Sequence, residues 1–294
     1  MKRTDFVLLI IALLGALNLA FGLPSLAAAQ LQEQAEGNNG LWAVNIYRSQ
    51  AGVAPVVGDP ILTNQCMLHA AYMAENQLAS LSEDKLFSMY SSEGSLCAPN
   101  AIIYLLPGNA KYYQANQTVD KWMDSPTHRM WLLYPTLAVV GYGYRVDPIG
   151  DDWITSAALD VLSGIDFSAD SMYPNWPVHY PAPNQIGVPG KQYAITTWWQ
   201  YDGPAPAVNL SDTTLKTSEG AAIPFTVNSD PAAYGGHKHI TLLPVNPLPY
   251  GKVFEVHLEG SYGGKAFVYD WKFSTGTTPI PDETSNPSVT PTAN

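Results

Sequence analysis

The chain has little cysteine, few basic residues and little charge overall. Its 294 residues include 2 cysteines, and 13% of them are charged. The 14 lysines and arginines are outnumbered by 25 aspartates and glutamates, so the formal net charge is −11. Nucleic acids and anionic membrane surfaces both repel an acidic chain. We therefore expect neither of them as a partner.

The sequence also lacks common motifs of nucleophilic and phosphate chemistry. It contains no Gly-rich phosphate loop, no Gly-x-Ser-x-Gly elbow and no cysteine–histidine nucleophile pair. Cys66 and Cys97 most simply form one disulfide, because two cysteines in an oxidising compartment tend to pair. Closing a loop of that size would stabilise the fold by about 3–4 kcal/mol in the chain-entropy model.

The N-terminus carries the one long apolar run. Two basic residues precede an uncharged stretch at 6–21, and three alanines follow at 27–29. This order is typical of a secretory signal peptide, so residues 1–29 are predicted to be removed, leaving an extracellular protein without a stable membrane span. The alternative is a retained anchor, since 6–29 is long enough to cross a bilayer.

Two dipeptides mark helix starts in the first half of the chain. Asp59–Pro60 and Ser125–Pro126 each place an N-cap before a proline, which suits the first helical position. Beyond the first dipeptide, the apolar residues of 60–78 recur at helical spacing and share a stripe with His69. A histidine on such a stripe is predicted to be a satisfied core residue.

His128 falls in the first turn of the second of these helices. The positive end of a helix disfavours imidazolium, so we expect the pKa of His128 to be lowered and its ring to be neutral near pH 7. A neutral imidazole can accept a proton or bind a metal. The alternative is a helix-start residue hydrogen-bonded to backbone.

A further helix is predicted at 113–123, and two strands are predicted at 138–146 and 153–162. Glycines in the first strand would allow another element to approach closely. The remaining length is enough for two domains. In the first, helices precede strands, which favours a helix-layered sheet of the α+β class over a parallel doubly wound sheet.

Several short motifs succeed one another in a fixed order. They are Val44-Asn45-Ile46-Tyr47-Arg48, Asp59-Pro60, His69-Ala70, Trp122, Ser125-Pro126, His128-Arg129 and Val140-Gly141-Tyr142-Gly143. In this order and spacing, residues 38–163 resemble the bacterial SCP-like form of the CAP superfamily, which includes cysteine-rich secretory proteins, antigen 5 and pathogenesis-related class 1 proteins. The resemblance implies a three-layer α-β-α sandwich with a small antiparallel sheet.

The resemblance also implies a cleft where two histidines and two glutamates can bind a divalent metal. His128 matches the second histidine. The other positions hold Leu81 or Met89, according to register, and Pro99 and Ser125. A tight site needs three or four well-placed ligands, so we predict a degenerate site with no metal and no cofactor.

Two acidic residues are the remaining cleft candidates. Glu83 and Glu93 lie in the irregular segment 79–110, which would line the cleft. Either carboxylate could regroup around His128. Together with His128, they are weak candidates for the site.

The composition changes after the first domain. Residues 164–190 are proline-rich, which predicts a semi-extended connector. Bulky residues alternate at 193–199 and 254–259, and short strands at this spacing predict an Ig-like β-sandwich over 191–275. Residues 276–294 are rich in threonine, proline and serine and are predicted to be disordered.

Three histidines of the second domain could suggest zinc. His237 and His239 stand at i and i+2, and His257 comes later in the chain. Their strand phase matches that of Glu255 and Glu259, which marks the solvent face. All three are therefore predicted to be surface histidines.

These observations favour a non-enzymatic function. The protein would be a secreted CAP module that binds a small hydrophobic ligand such as a lipid, or a cell-surface or extracellular macromolecule, with the sandwich as a spacer or adhesion element. The alternative is an extracellular hydrolase that uses His128 with a nearby carboxylate. That alternative requires a paired and oriented acid–base partner.

Overall fold

The structure is a computed structural model that describes residues 26–109, 113–201, 208–230, 237–262 and 264–280. Most of the predicted signal peptide, and the predicted disordered tail from residue 281 onwards, lie outside these ranges. In the described part, no helix is both long and apolar enough to cross a membrane.

The elements alternate between helices and strands in the first half and are mostly strands in the second. The helices are α1 (Leu26–Gln50), α2 (Pro60–Asn76), α3 (Gly94–Cys97), α4 (Ala115–Asp124) and α5 (Pro126–Leu132), with 3-10 turns at Ala98–Asn100 and Phe167–Met172. The strands are β1 (Val57–Gly58), β2 (Ala101–Asn109), β3 (Val139–Ile149), β4 (Asp152–Asp160), β5 (Val178–Tyr180), β6 (Gln185–Val188), β7 (Ile195–Trp198), β8 (Asn209–Thr217), β9 (Phe225–Asn228), β10 (His239–Pro244), β11 (Val253–Tyr262) and β12 (Lys265–Thr275).

The first domain is built around a four-stranded sheet in the order β1-β3-β4-β2. On β3, a Cβ at Gly141 or Gly143 would lie within 2.5 Å of the backbone of Leu62 or Cys66, so both glycines are needed for α2 to lie on that face. The intervening Tyr142 points the other way, where its hydroxyl hydrogen-bonds Thr118 of α4 at 2.7 Å. Helices thus cover both faces, and the predicted three-layer α+β sandwich is confirmed.

The predicted helix caps are present. The Asp59 carboxylate accepts hydrogen bonds from the Ile61 and Leu62 N–H groups at 2.8 and 2.9 Å. Ser125 Oγ accepts a longer contact of 3.5 Å from the His128 N–H. In each case proline occupies the next position, where no N–H is needed.

One disulfide and one buried arginine connect separate elements of the first domain. Cys66 and Cys97 form the predicted disulfide, which joins α2 to α3. The buried Arg48 at the end of α1 donates to the carbonyls of Ala54, Leu132, Tyr134 and Leu137 at 2.7–3.0 Å. Burial lowers the pKa of the Arg48 guanidinium to about 10.

The second domain is a β-sandwich, as predicted. Its two four-stranded sheets have the orders β5-β7-β10-β9 and β6-β12-β11-β8. Ile240 and Leu242 of one sheet share a core with Phe254 and Phe273 of the other. Burial of these side chains on alternate strand positions explains the period-two pattern in the sequence.

The prediction of a plain connector over 164–190 is wrong. The segment supplies β5 to one sheet of the sandwich and β6 to the other. Both are edge strands, and Pro177 and Pro181 lie just outside β5. Proline is tolerated in these positions because it removes no ladder hydrogen bond there.

Candidate functional site

His128 lies in the first turn of α5 and is half-buried. Burial lowers the pKa of its imidazole, which confirms the expected direction, although the cause is desolvation rather than the helix end. Among the described residues, no group forms a hydrogen bond with the imidazole ring of His128. The bond to Ser125 involves the backbone N–H of His128 and not its side chain. The lowered pKa favours the neutral imidazole near pH 7. In the described part of the chain, this ring has no hydrogen-bonded partner that could orient it for acid–base catalysis.

The structure places Glu83 against His69 rather than His128. His69 Nδ1 lies 3.0 Å from Glu83 Oε1, His69 Nε2 lies 2.9 Å from the Ser80 carbonyl oxygen, and both side chains are fully buried. Each ring nitrogen of His69 thus faces an oxygen partner, one from a side chain and one from the backbone. His69 is a satisfied core residue, as predicted, and it bonds a glutamate that the sequence did not pair with it.

Glu93 is also separate from His128. Its carboxylate accepts a hydrogen bond from Ser92 Oγ at 2.8 Å on the exposed surface. The bond to Ser92 and to its own backbone lowers the pKa of Glu93. The three weak candidates for the site thus occupy three different surroundings.

One face of α2 holds the irregular segment that comes after it. His69, Tyr72 and Asn76 recur at helical spacing. Tyr72 Oη accepts from the Asp84 N–H at 3.0 Å, and Asn76 Nδ2 donates to the Ser88 carbonyl at 2.8 Å. Glu83 Oε2 also accepts from the Ser91 N–H at 3.0 Å. Together with the disulfide, these contacts fix the segment on α2.

The fixed segment exposes large apolar side chains. We call residues 78–96 the apolar loop. Six of its residues are between 41% and 92% exposed: Leu78, Leu81, Leu86, Phe87, Met89 and Leu96. All six lie in one short stretch of chain, and an exposed apolar surface marks an interaction site more often when its residues are contiguous than when they are scattered.

Arg129, the neighbour of His128, joins the two domains. Its guanidinium donates to the Ala194 carbonyl at 2.7 Å and to Thr196 Oγ1 at 3.2 Å, and it lies 4.5 Å from the centre of the Tyr193 ring. Nearby, Lys191 pairs with Asp124 of α4. The side of α5 that carries Arg129 therefore packs against the sandwich.

The prediction of surface histidines is wrong for His237 and His239, which are 2% and 1% exposed. On β10, His239 and Thr241 lie on one face of the sheet. Thr241 pairs with Thr196 of the neighbouring strand β7, and Thr196 bonds Arg129 of the first domain. This face of the sheet is therefore the one that packs against the first domain. The strand phase identified a shared face correctly, but the other domain covers it.

His257 does lie on the surface, where its Nδ1 is 2.8 Å from Asp270 Oδ1. It is on the other sheet, at β11, so the structure does not bring the three histidines together. The trio therefore does not form the zinc site that its residue types could suggest.

Comparison with known families identifies the first domain. The family described as "CAP: Cysteine-rich secretory protein family" matches residues 41–157. These residues form a CAP domain. No curated protein matches the chain.

Two solved structures are similar to it. One is an extracellular protein containing a SCP domain from Bacillus anthracis str. Ames, at 17% identity and a TM-score of 0.35; the match covers 47% of this chain and 44% of that one. The other is an outer surface protein from Borrelia burgdorferi, at 15% identity and a TM-score of 0.32, covering 42% of this chain and 90% of that one. This chain thus spans less than half of the Bacillus protein.

The metal cleft that the CAP resemblance implies does not fit the residues present. Leu81 and Met89, the two alternatives at the first histidine position, are exposed apolar residues, and Ser125 serves as a helix cap. Glu83 is bonded to His69. In the described ranges, no group of three or more histidine, cysteine, aspartate or glutamate residues could hold a metal ion.

Sequence reasoning missed the residues that hold the apolar loop in place. A glutamate 14 positions after a buried histidine gives no periodic signal. The available signal was the stripe position of His69, because a buried imidazole needs a polar partner. After Glu75 of the same helix, the next acidic residues are Glu83 and Asp84 in this loop.

Proposed function

We propose that this protein is an extracellular CAP-domain protein whose first domain binds, without catalysis, a small hydrophobic ligand such as a lipid, or an apolar surface of a partner. The apolar loop carries this proposal. It combines exposed apolar side chains with a backbone that is fixed on α2. Binding to a fixed surface costs less conformational entropy than binding that must first order a loop.

An extracellular location is supported by the disulfide. Disulfides persist in oxidising environments such as the space outside the cell, where small thiols do not reduce them. The Cys66–Cys97 bond also closes the apolar loop at its far end. The predicted signal peptide agrees with this location.

The surroundings of the histidines favour binding over hydrolysis. Both ring nitrogens of His69 face hydrogen-bonding oxygens in a buried position, so this ring cannot reach a substrate. General acid–base catalysis by His128 would need an oriented partner. The acidic candidates from the sequence are bonded to other groups.

The test compares two variants with the unchanged protein in the binding of a fluorescent fatty acid. Leu81→Asp combined with Leu86→Asp should weaken binding by about tenfold or more, because each introduces a charge where the acyl chain would lie. Val245→Asp is the control, since Val245 is about as exposed as Leu81 but lies in the sandwich. Unchanged binding in the double variant would contradict the proposal.

His128→Ala separates the binding function from the hydrolase alternative. If the domain only binds, this variant should keep its affinity within about threefold, since no transition-state contact is lost. Loss of a measurable ester hydrolysis in a folded His128→Ala variant would instead establish the hydrolase.

A further inference from the structure

The strand β2 lies at one edge of the sheet in the CAP domain. Its first six residues, Ala101–Leu106, carry no charge and pair with β4 without a register shift. We call these six residues the β2 edge. In the described part of the chain, no strand pairs with the side of β2 that faces away from β4.

The backbone of the β2 edge alternates between facing β4 and facing away from it. The Asn100 carbonyl accepts from the Val161 N–H at 3.1 Å, which fixes the phase of the ladder. Even-numbered residues of the edge therefore face β4 with their N–H and carbonyl groups, and odd-numbered residues face outward. The Trp122 indole agrees with this phase, because its Nε1 donates to the Ile103 carbonyl at 3.0 Å. Among the described residues, no hydrogen bond reaches the outward backbone groups of Leu105.

The other edge strands of the described sheets have features that discourage pairing. β1 has two residues, β5 has three, and β6 and β9 have four each. β8 has nine, but it carries Asp212 and Lys216, is bridged to Ala222 and has a register shift in its ladder. Short strands, charges and bulges are the usual means by which proteins keep sheet edges from pairing with other chains. The β2 edge has none of them.

The charge pattern of the chain favours contact between copies at this edge. The chain has a formal net charge of −11, so two copies repel each other over much of their surface. No acidic residue occurs between Glu93 and Asp120, and the β2 edge lies inside this stretch. Two copies that meet here therefore bring no carboxylates of the stretch together.

We propose that two copies of this chain associate through the β2 edge, as an antiparallel pair of β2 strands related by a two-fold axis. The two four-stranded sheets would then join into one continuous sheet. A second copy supplies a matching uncharged strand by symmetry, whereas a different protein would have to provide one of its own. The opposite edge of the sheet, β1, has two residues, so association stops at the dimer. This proposal does not depend on the function proposed for the apolar loop.

Sedimentation velocity of the purified chain tests the proposal. Six paired residues in each copy form a small interface, so we expect a weak dimer with a dissociation constant of roughly 10–100 µM. The mean sedimentation coefficient should rise from the monomer value at about 1 µM towards the dimer value at about 500 µM. A monomer at every concentration would overturn the proposal and would indicate a strand of a different protein as the occupant of the edge.

Substitutions at Leu105 locate the interface. Leu105→Pro removes an outward N–H and no bond to β4, so the dimer should weaken by about tenfold or more. Leu105→Lys should weaken it similarly, because a charge at a sheet edge opposes pairing. Val268→Lys is the matched control, since Val268 is an exposed apolar residue of β12, which has a strand on each side. Unchanged association in a folded Leu105→Pro variant, or equal weakening in Val268→Lys, would exclude the β2 edge.

Hydrogen exchange of the unchanged chain decides the case if the Leu105 variants do not fold. The N–H groups of Ile103 and Leu105 face outward, so their exchange should slow by about threefold or more between dilute and concentrated protein. The N–H of Tyr104 faces β4 and provides the internal reference. Equal exchange of Ile103 and Leu105 at both concentrations, or slowing confined to the apolar loop, would overturn the proposal.

Discussion

The two domains surround their buried histidines differently. In the CAP domain, both ring nitrogens of His69 have oxygen partners, and the imidazole is bonded to Glu83 and to backbone. At the edge of the sandwich, His237 is instead enclosed by the rings of Trp131, Tyr134 and Tyr201, with centroids 4.8–5.8 Å away. Within the described part of the chain, His237 Nδ1 has no hydrogen-bond partner.

The comparison shows two consequences of burying the same side chain. A paired imidazole fixes the chain that supplies its partners, so His69 and Glu83 hold the apolar loop. An imidazole among rings is kept neutral, and burial lowers the pKa of His237 to about 4, with smaller contributions from His239 and Lys238. The first arrangement contributes to loop structure, and the second makes stability depend on pH.

Glu83→Ala should have the largest effect on the paired region. The substitution removes the partner of a fully buried histidine and the acceptor for the Ser91 N–H. Breaking a buried pair from one side costs about 3–5 kcal/mol. Chemical denaturation measures the loss in the free energy of unfolding.

Glu93→Ala provides the control for this substitution. Glu93 lies in the same loop, but it is exposed, and its carboxylate bonds the neighbouring Ser92 and its own backbone rather than a buried partner. Its replacement should leave the free energy of unfolding almost unchanged, as substitutions on the exposed surface usually do. Equal losses in the two variants would mean that the His69–Glu83 pair does not hold the loop.

The aromatic surroundings of His237 should produce a pH dependence of intermediate size. In the unfolded chain His237 takes up a proton near its ordinary pKa of 6.5, whereas in the folded protein it does so near pH 4. Its contribution to stability is therefore complete above pH 6.5 and is lost as the pH falls towards 4. The expected loss between pH 7 and pH 4 is about 3 kcal/mol.

His237→Phe should remove this part of the acid dependence, because phenylalanine keeps an apolar ring and cannot be protonated. Denaturation midpoints measured from pH 7 to pH 4 would show a flatter profile. His257→Phe, which changes an exposed histidine of the same domain, should leave the contribution of His237 in place. An unaltered profile in His237→Phe would show that His237 is not the group responsible.

Asp124→Asn should have the smallest effect. It breaks the ion pair with Lys191 that joins the domains, but both side chains are between one third and one half exposed. Exposed pairs contribute about 0.2–1 kcal/mol. Glu219→Gln breaks the exposed ion pair with Lys252, which lies within the second domain and does not join the domains. Thermal unfolding of the two variants should show similarly small losses of stability.

Local signals predicted much of the CAP domain. The caps at Asp59 and Ser125 act on the next few residues, so the chain itself contains the information for both helix starts. Gly141 and Gly143 likewise marked the close approach of α2 to β3. These features depend on sequence neighbours or on the absence of a side chain, both of which the sequence displays.

Other features depend on residues far apart in the chain. The histidines near β10 were placed on a solvent face because alternation shows which residues share a face but not what covers it. The strands β5 and β6 were missed because three or four residues flanked by prolines give a weak pattern. Their pairing with β7 and β12 is decided by the partner strands.

The sequence by itself determined the helix starts at Asp59 and Ser125, two of the four strands of the α+β sheet, the disulfide and the CAP character of the first domain, whereas β1 and β2 were not predicted. Only the tertiary structure decided that Glu83 bonds His69 rather than His128, that Arg129 joins the domains, and that His237 is buried. The physical reason is range: caps and periodicity act within one element, whereas hydrogen-bond partners and burial arise when distant elements pack together.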